Sequence, residues 1–117
     1  MHLVYHLSDI PQEETVLNIE DLRKKFGKRM DVVEKWLTEN SRVSYYVVDS
    51  DGEISCAVRG ENDEYTVFVS PQGVVSCSCM GFKSHKSICK HILFTLMLAW
   101  IKGDIHTHMF EKILGGD

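Results

Sequence analysis

Three cysteines and one histidine stand in two tight pairs, Cys77-Ser78-Cys79 and Cys89-Lys90-His91, with nine residues between them. Thiolates with one imidazole are the donor set that suits zinc, in a tetrahedron with bond lengths near ~2.0–2.3 Å. In an extended segment, side chains two apart point to the same side, so Cys77 and Cys79 face one ion if the chain there is a strand. Cys89 and His91 are also two apart and would splay on a regular helix. Cys89 is therefore placed in the turn before a helix, with His91 in its first turn. Four protein ligands leave no open position for water or substrate, so the expected cofactor is one structural Zn2+, contributing roughly 10 kcal/mol or more towards folding. No general base is evident beside the cysteines. A redox role for Cys77 and Cys79 would need a free thiolate of low pKa, which coordination removes. The chain therefore reads as non-enzymatic, with no small-molecule substrate. His85, inside the loop, reads as an exposed residue or an outer partner of the site, and Cys56 as a small core residue.

The elements that must position these ligands show in the hydrophobic period. A short strand is expected at residues 2–7, and a helix at 19–26, capped by Asn18 and ended by Gly27. A second helix should run from Asp31 to about Glu39, with Val32, Val33, Trp36 and Leu37 at helical spacing. The period then changes. Segments 43–49, 53–59, 65–70 and 74–79 are rich in β-branched and aromatic residues, and short turns such as Asp49-Ser50-Asp51-Gly52 join them. Connections this short suit antiparallel neighbours, which gives a meander of about four strands. A helix from His91 to about Lys102, stopped by Gly103, and a short helix within 106–114 complete an α+β fold. The chain is read as a single domain, 1–117. Its parts are an N-terminal helical portion (1–42), a meander with the zinc module (43–102) and a tail (103–117).

Length and composition agree with this reading. The 117 residues suit one ordinary domain, and 44% hydrophobic content is enough for a core. The N-terminus lacks the basic start and apolar run of a signal peptide, and the longest apolar stretch, 92–101, is too short to span a bilayer. The expected location is intracellular, cytoplasmic (or nuclear in a eukaryote), where closely spaced cysteines favour metal over disulfides. The net charge of -4 counts against a purely electrostatic polyanion binder, but the charge is uneven. Arg23, Lys24, Lys25, Lys28 and Arg29 form one basic cluster. Lys83, Lys86 and Lys90 lie among the proposed ligands with no acid between them. Asp49, Asp51, Glu53, Glu61, Asp63 and Glu64 face Arg59 alone.

The pattern C-x-C-x(n)-C-x-H, with strands before it and an apolar helix after it, resembles the SWIM-type zinc finger over residues 65–100. In that family the fold is a β-hairpin followed by a helix, and the matched zinc ligands here are Cys77, Cys79, Cys89 and His91. Phe82 fits the aromatic position after the first pair, and Met80 stands where proline is usual. The resemblance implies interaction with DNA or with protein partners, since such modules occur in chromatin-remodelling ATPases, Mutator-type transposases and recombinase-accessory factors. The last group typically carries alanine three residues after the ligand histidine, where this chain has Phe94.

Two expectations about partners follow. Lys83, Lys86 and Lys90, with Arg23, Lys24, Lys25, Lys28 and Arg29, are the candidate contacts to nucleic-acid phosphates, DNA first. Segment 19–37 has the look of a helix-turn-helix, but its second helix carries Asp31, Glu34 and Glu39, which argues against base reading. The helix 91–102 is apolar nearly all round, so any remainder left outside the core would serve a protein partner or a homodimer. The alternative to DNA binding is accordingly a protein-interaction adaptor, or a recombinase-accessory factor in DNA repair without direct DNA contact.

Overall fold

The computed structural model describes residues 19–115. The strand expected at residues 2–7 and the cap at Asn18 lie outside the described residues. Two helices open the described chain, α1 (Ile19–Phe26) and α2 (Lys28–Leu37). Gly27 separates them at φ +54 and ψ -124, a conformation open essentially to glycine, and so serves as the end of one helix and the cap of the next. The second helix thus starts three residues before Asp31. That expectation is corrected: no side chain caps α2, so the usual capping signal is missing from the sequence.

Four strands follow, β1 (Val43–Val48), β2 (Ile54–Arg59), β3 (Glu64–Val69) and β4 (Val75–Cys77). They form one sheet in the order β1-β2-β3-β4, each pair antiparallel. Asp49 sets the first turn, its carboxylate accepting from the backbone N–H groups of Asp51 and Glu53. Then come α3 (Met80–His85), α4 (Lys90–Lys102) and α5 (Thr107–Gly115). Gly103 ends α4 at φ +83 in the left-handed region. The architecture is α+β, with the zinc-ligand segment in its C-terminal part.

The alternation within the strands divides the sheet into two faces. The paired rows Tyr46–Cys56–Val67–Cys77 and Val48–Ile54–Val69–Val75 point inward, and their members on β2 and β3 are buried. Against this face lies α4, in which every residue from His91 to Trp100 is buried. On the side away from the sheet α4 is covered by α2, through Trp36 and its neighbours, and near its C-terminus α5 covers it, with Trp100 stacked on Phe110 at 4.1 Å. The expectation of an apolar remainder on helix 91–102 open to a protein partner or a second copy is therefore corrected. The helix is apolar all round because it is the central rod of the core.

Candidate metal centre

Each ligand side chain comes from a local structure that explains its type and spacing. Cys77 ends β4, pointing inward with the buried row of the sheet. Cys79 follows in extended conformation and caps α3, its sulfur accepting from the backbone N–H of Phe82 at 3.4 Å. Cys89, also extended, caps α4 and accepts from Ile92 N–H at 3.5 Å. His91 is the second residue of that helix and is buried. Both cap positions are thus filled by thiols, where N–H donors favour the thiolate over the neutral thiol.

These four residues bring their ligand atoms within 4.8 Å of one another. The Sγ atoms of Cys77 and Cys89 each lie 3.7 Å from Nδ1 of His91. A tetrahedral zinc with ordinary bond lengths would separate sulfur from nitrogen by about 3.6 Å. The donor set therefore fits one structural zinc ion, held through three thiolates and Nδ1, and the metal would supply a fixed crosslink between β4, α3 and α4. Among themselves the thiols are already uneven. Cys89 is held below the usual thiol range by a hydrogen bond from Cys77, then by His91 and the Ile92 N–H, against burial. Cys77 is raised by that same bond and by burial, because one proton serves the pair. Zinc needs both deprotonated.

Two residues of the site were not legible as such in the sequence. The imidazole of His91 lies between Tyr65, 4.3 Å away at 35°, and Trp36, 5.8 Å away at 27°. Its Nε2 is buried with no hydrogen-bond partner. A zinc-bound histidine commonly donates its second ring N–H to a carboxylate, carbonyl or water. Here aromatic faces orient the ring instead. Trp36 reads in sequence as one more apolar position of a helix, and Tyr65 as a strand aromatic. Nothing local announces that they meet over a histidine far along the chain. Phe82 packs against the core and provides the N–H to Cys79.

The other candidate residues distribute unevenly. His85 lies on the rim of a cleft of about 500 Å³ that opens beside Cys79, Cys89 and His91, outside the four-ligand cluster. Arg29 and Lys90 line the same cleft. Arg29 donates to the carbonyl of Ile88, so the start of α2 is tied to the loop before α4. The ammonium of Lys90 lies over the Trp36 ring and that of Lys86 over Phe82. Lys83 is exposed on α3, and Lys24 and Lys28 are exposed on α1 and α2. Lys25 reaches the carbonyl of Leu114. Arg23 stands apart: Glu20 and Glu34 hold its guanidinium at 2.8 and 2.7 Å. Cys56 is a buried core residue. No described helix is long and apolar enough to cross a membrane.

No curated protein and no solved structure matches the chain. The SWIM zinc finger family matches residues 65–99, a segment that holds all four clustered ligands, the Tyr65 that covers His91 and most of α4. Over residues 65–99 this chain is similar to a SWIM zinc finger.

Proposed function

We propose that this protein is a non-catalytic nucleic-acid-binding module in which zinc fixes a basic surface against DNA phosphates. The single observation that carries the reading is the Arg29–Ile88 hydrogen bond. It joins two basic clusters that are some sixty residues apart in the chain, so that Arg29 and Lys90 line one cleft together with Glu61. Lys83 lies on α3, Lys86 just after α3 and Lys28 at the start of α2. A closed four-ligand site supports a structural role for the metal and offers no position for a substrate. Arg23 is neutralised by two carboxylates and Lys25 is turned towards α5, so neither contributes to the surface. The contacts are to phosphates and not to base edges, since α2 exposes Lys28, Asp31 and Lys35, has no Asn or Gln, and its Arg29 is engaged by the Ile88 carbonyl.

The test is fluorescence anisotropy of a labelled duplex titrated with the zinc-loaded chain over a range of salt concentrations. Five phosphate contacts, from Lys28, Arg29, Lys83, Lys86 and Lys90, predict a slope of log K against log salt of about -4.5. Charge reversal of Lys83, Lys86 and Lys90 to Glu should flatten that slope by about 3 and weaken binding to all sequences alike. Unchanged affinity and slope in that triple variant, with zinc content intact, would remove the reading.

A further inference from the structure

The sheet has a second face, and among the described residues no element covers it. By register, Val47, Ser55, Phe68 and Ser76 make one row across all four strands, and Tyr45, Ala57 and Thr66 make the next. These rows alternate with those that pack on α4, so they point away from the core. Val47 is 52% exposed, Phe68 50% and Tyr45 43%. The small side chains of Ser55 and Ala57 on β2 lie between Tyr45 and Val47 on β1 and Thr66 and Phe68 on β3. Ala57 is buried beneath these neighbours and Ser55 is partly exposed, so the face is a shallow trough along β2, walled chiefly by Tyr45, Val47 and Phe68. Contiguous apolar side chains on one exposed face mark a contact surface more often than scattered ones do.

The charge around the trough selects its occupant. At one end the β1–β2 turn carries Asp49, Asp51 and Glu53, and at the other the β2–β3 turn carries Glu61 and Asp63, with Glu64 opening β3. Of the cations at that second end, Arg59 is held by Glu64 at 3.8 Å and by the Ser44 hydroxyl, and Arg42, which donates to the Arg59 and Gly60 carbonyls, is paired with Glu39 at 2.6 Å. A second copy set on this face by its own like face would place acidic turns against acidic turns. Residues 1–18 carry Asp9, Glu13 and Glu14 with no Lys or Arg, so they bring the same sign. We propose that the outer face of the sheet docks a partner protein's segment in which apolar side chains are flanked by Lys and Arg: the apolar residues fill the trough and the cations meet the acidic turns. This surface lies on the side of the sheet opposite α4, and of its acidic residues Glu61 also lines the cleft beside Arg29 and Lys90.

The test uses the full zinc-loaded chain, isotopically labelled, titrated with a short amphipathic peptide of leucine and lysine. Two control peptides accompany it, one a scramble of equal composition and one with glutamate for lysine. Backbone amide shifts should concentrate at Tyr45, Val47, Ser55, Ala57, Thr66 and Phe68, with the amphipathic peptide alone. The double variant Val47→Ser, Phe68→Ser should weaken that binding by about tenfold or more while zinc content and the remaining spectrum stay unchanged. Equal shifts with the scrambled peptide would reduce the effect to bulk charge and overturn the proposal. Shifts confined to the helices would overturn it as well. So would nuclear Overhauser contacts from the Phe68 ring to residues 1–18 in the free chain, or a concentration-dependent dimer that the double variant abolishes.

Discussion

Removing zinc is expected to unfold the described chain as one unit, including α1 and α2, and not the finger segment alone. The magnitude follows from comparing two quantities. At about 0.05–0.15 kcal/mol per residue, a chain of 117 residues has a total stability of about 6–18 kcal/mol. Structural zinc sites supply about 10–16 kcal/mol. The two are of the same size, so the metal-free fold lies near or below zero stability. The packing explains why the loss should spread. Buried apolar side chains from Leu22 to Leu114 form one connected cluster, and Trp36 of α2 rests on His91 as well as on Phe94 at 5.9 Å. The N-terminal helices therefore dock on a zinc ligand directly. The assay is a chelator titration followed by released zinc, far-ultraviolet ellipticity and Trp36 fluorescence, the last in a Trp100→Phe background so that one indole reports. Coincident transitions are expected. A Trp36 signal or helical ellipticity that persists after all zinc has been released would refute the reasoning and confine the metal's effect to residues 65–99.

Three other outcomes are expected. Trp36→Ala should cost about 3–5 kcal/mol in chemical denaturation of the zinc-loaded chain, as for a fully buried aromatic. Trp36→Phe should cost much less, because it keeps a ring on His91 and removes an indole N–H that is buried without a partner; equal losses would show that the N–H is engaged. Gly27→Ala should lower stability by about 1–3 kcal/mol through backbone strain alone, since an added Cβ meets nothing within 4 Å, and thermal denaturation measures it. Burial pushes the Cys56 thiol up to about 11, with Thr95 pulling the other way. The fold therefore favours the neutral thiol, and this contribution, about 2–3 kcal/mol, is present below pH 9 and lost as pH rises through 11. Stability curves of the wild type and Cys56→Ala should diverge by that amount across the window, and parallel curves would contradict it.

The zinc ligands, the four strands and α4 could be read from the sequence because each carries a local signal. Paired donors two apart, alternating β-branched runs and a Gly after the last apolar turn owe nothing to distant contacts. Helix α3 gave no such signal. It is six residues long, its Met80 is exposed, and its cap is the sulfur of Cys79, where capping is normally signalled by a hydroxyl, amide or carboxylate. The start of α2 was hidden for a similar reason, because Gly27 closes one helix and opens the next without a capping side chain. The fate of α4 was out of reach for another. Its composition says that it is surrounded, but whether by its own chain or by a partner depends on α2, α5 and the sheet, which come from both ends of the sequence. The Tyr65–His91–Trp36 stack depends on the same long-range assembly.

The closeness of the four ligands in the chain has a kinetic consequence. Cys77 to His91 spans only fifteen residues, and the two sulfurs that cap helices are themselves ligands. A loop of about ten residues closes in roughly 10–100 ns, far faster than a multistranded sheet assembles. The unfavourable part of helix formation is fixing the first turn. A metal that holds Cys89 at the cap and His91 within the first turn fixes that turn at once. Zinc would then initiate α4, with the rest of the chain expected to condense around a rod whose first turn is already set.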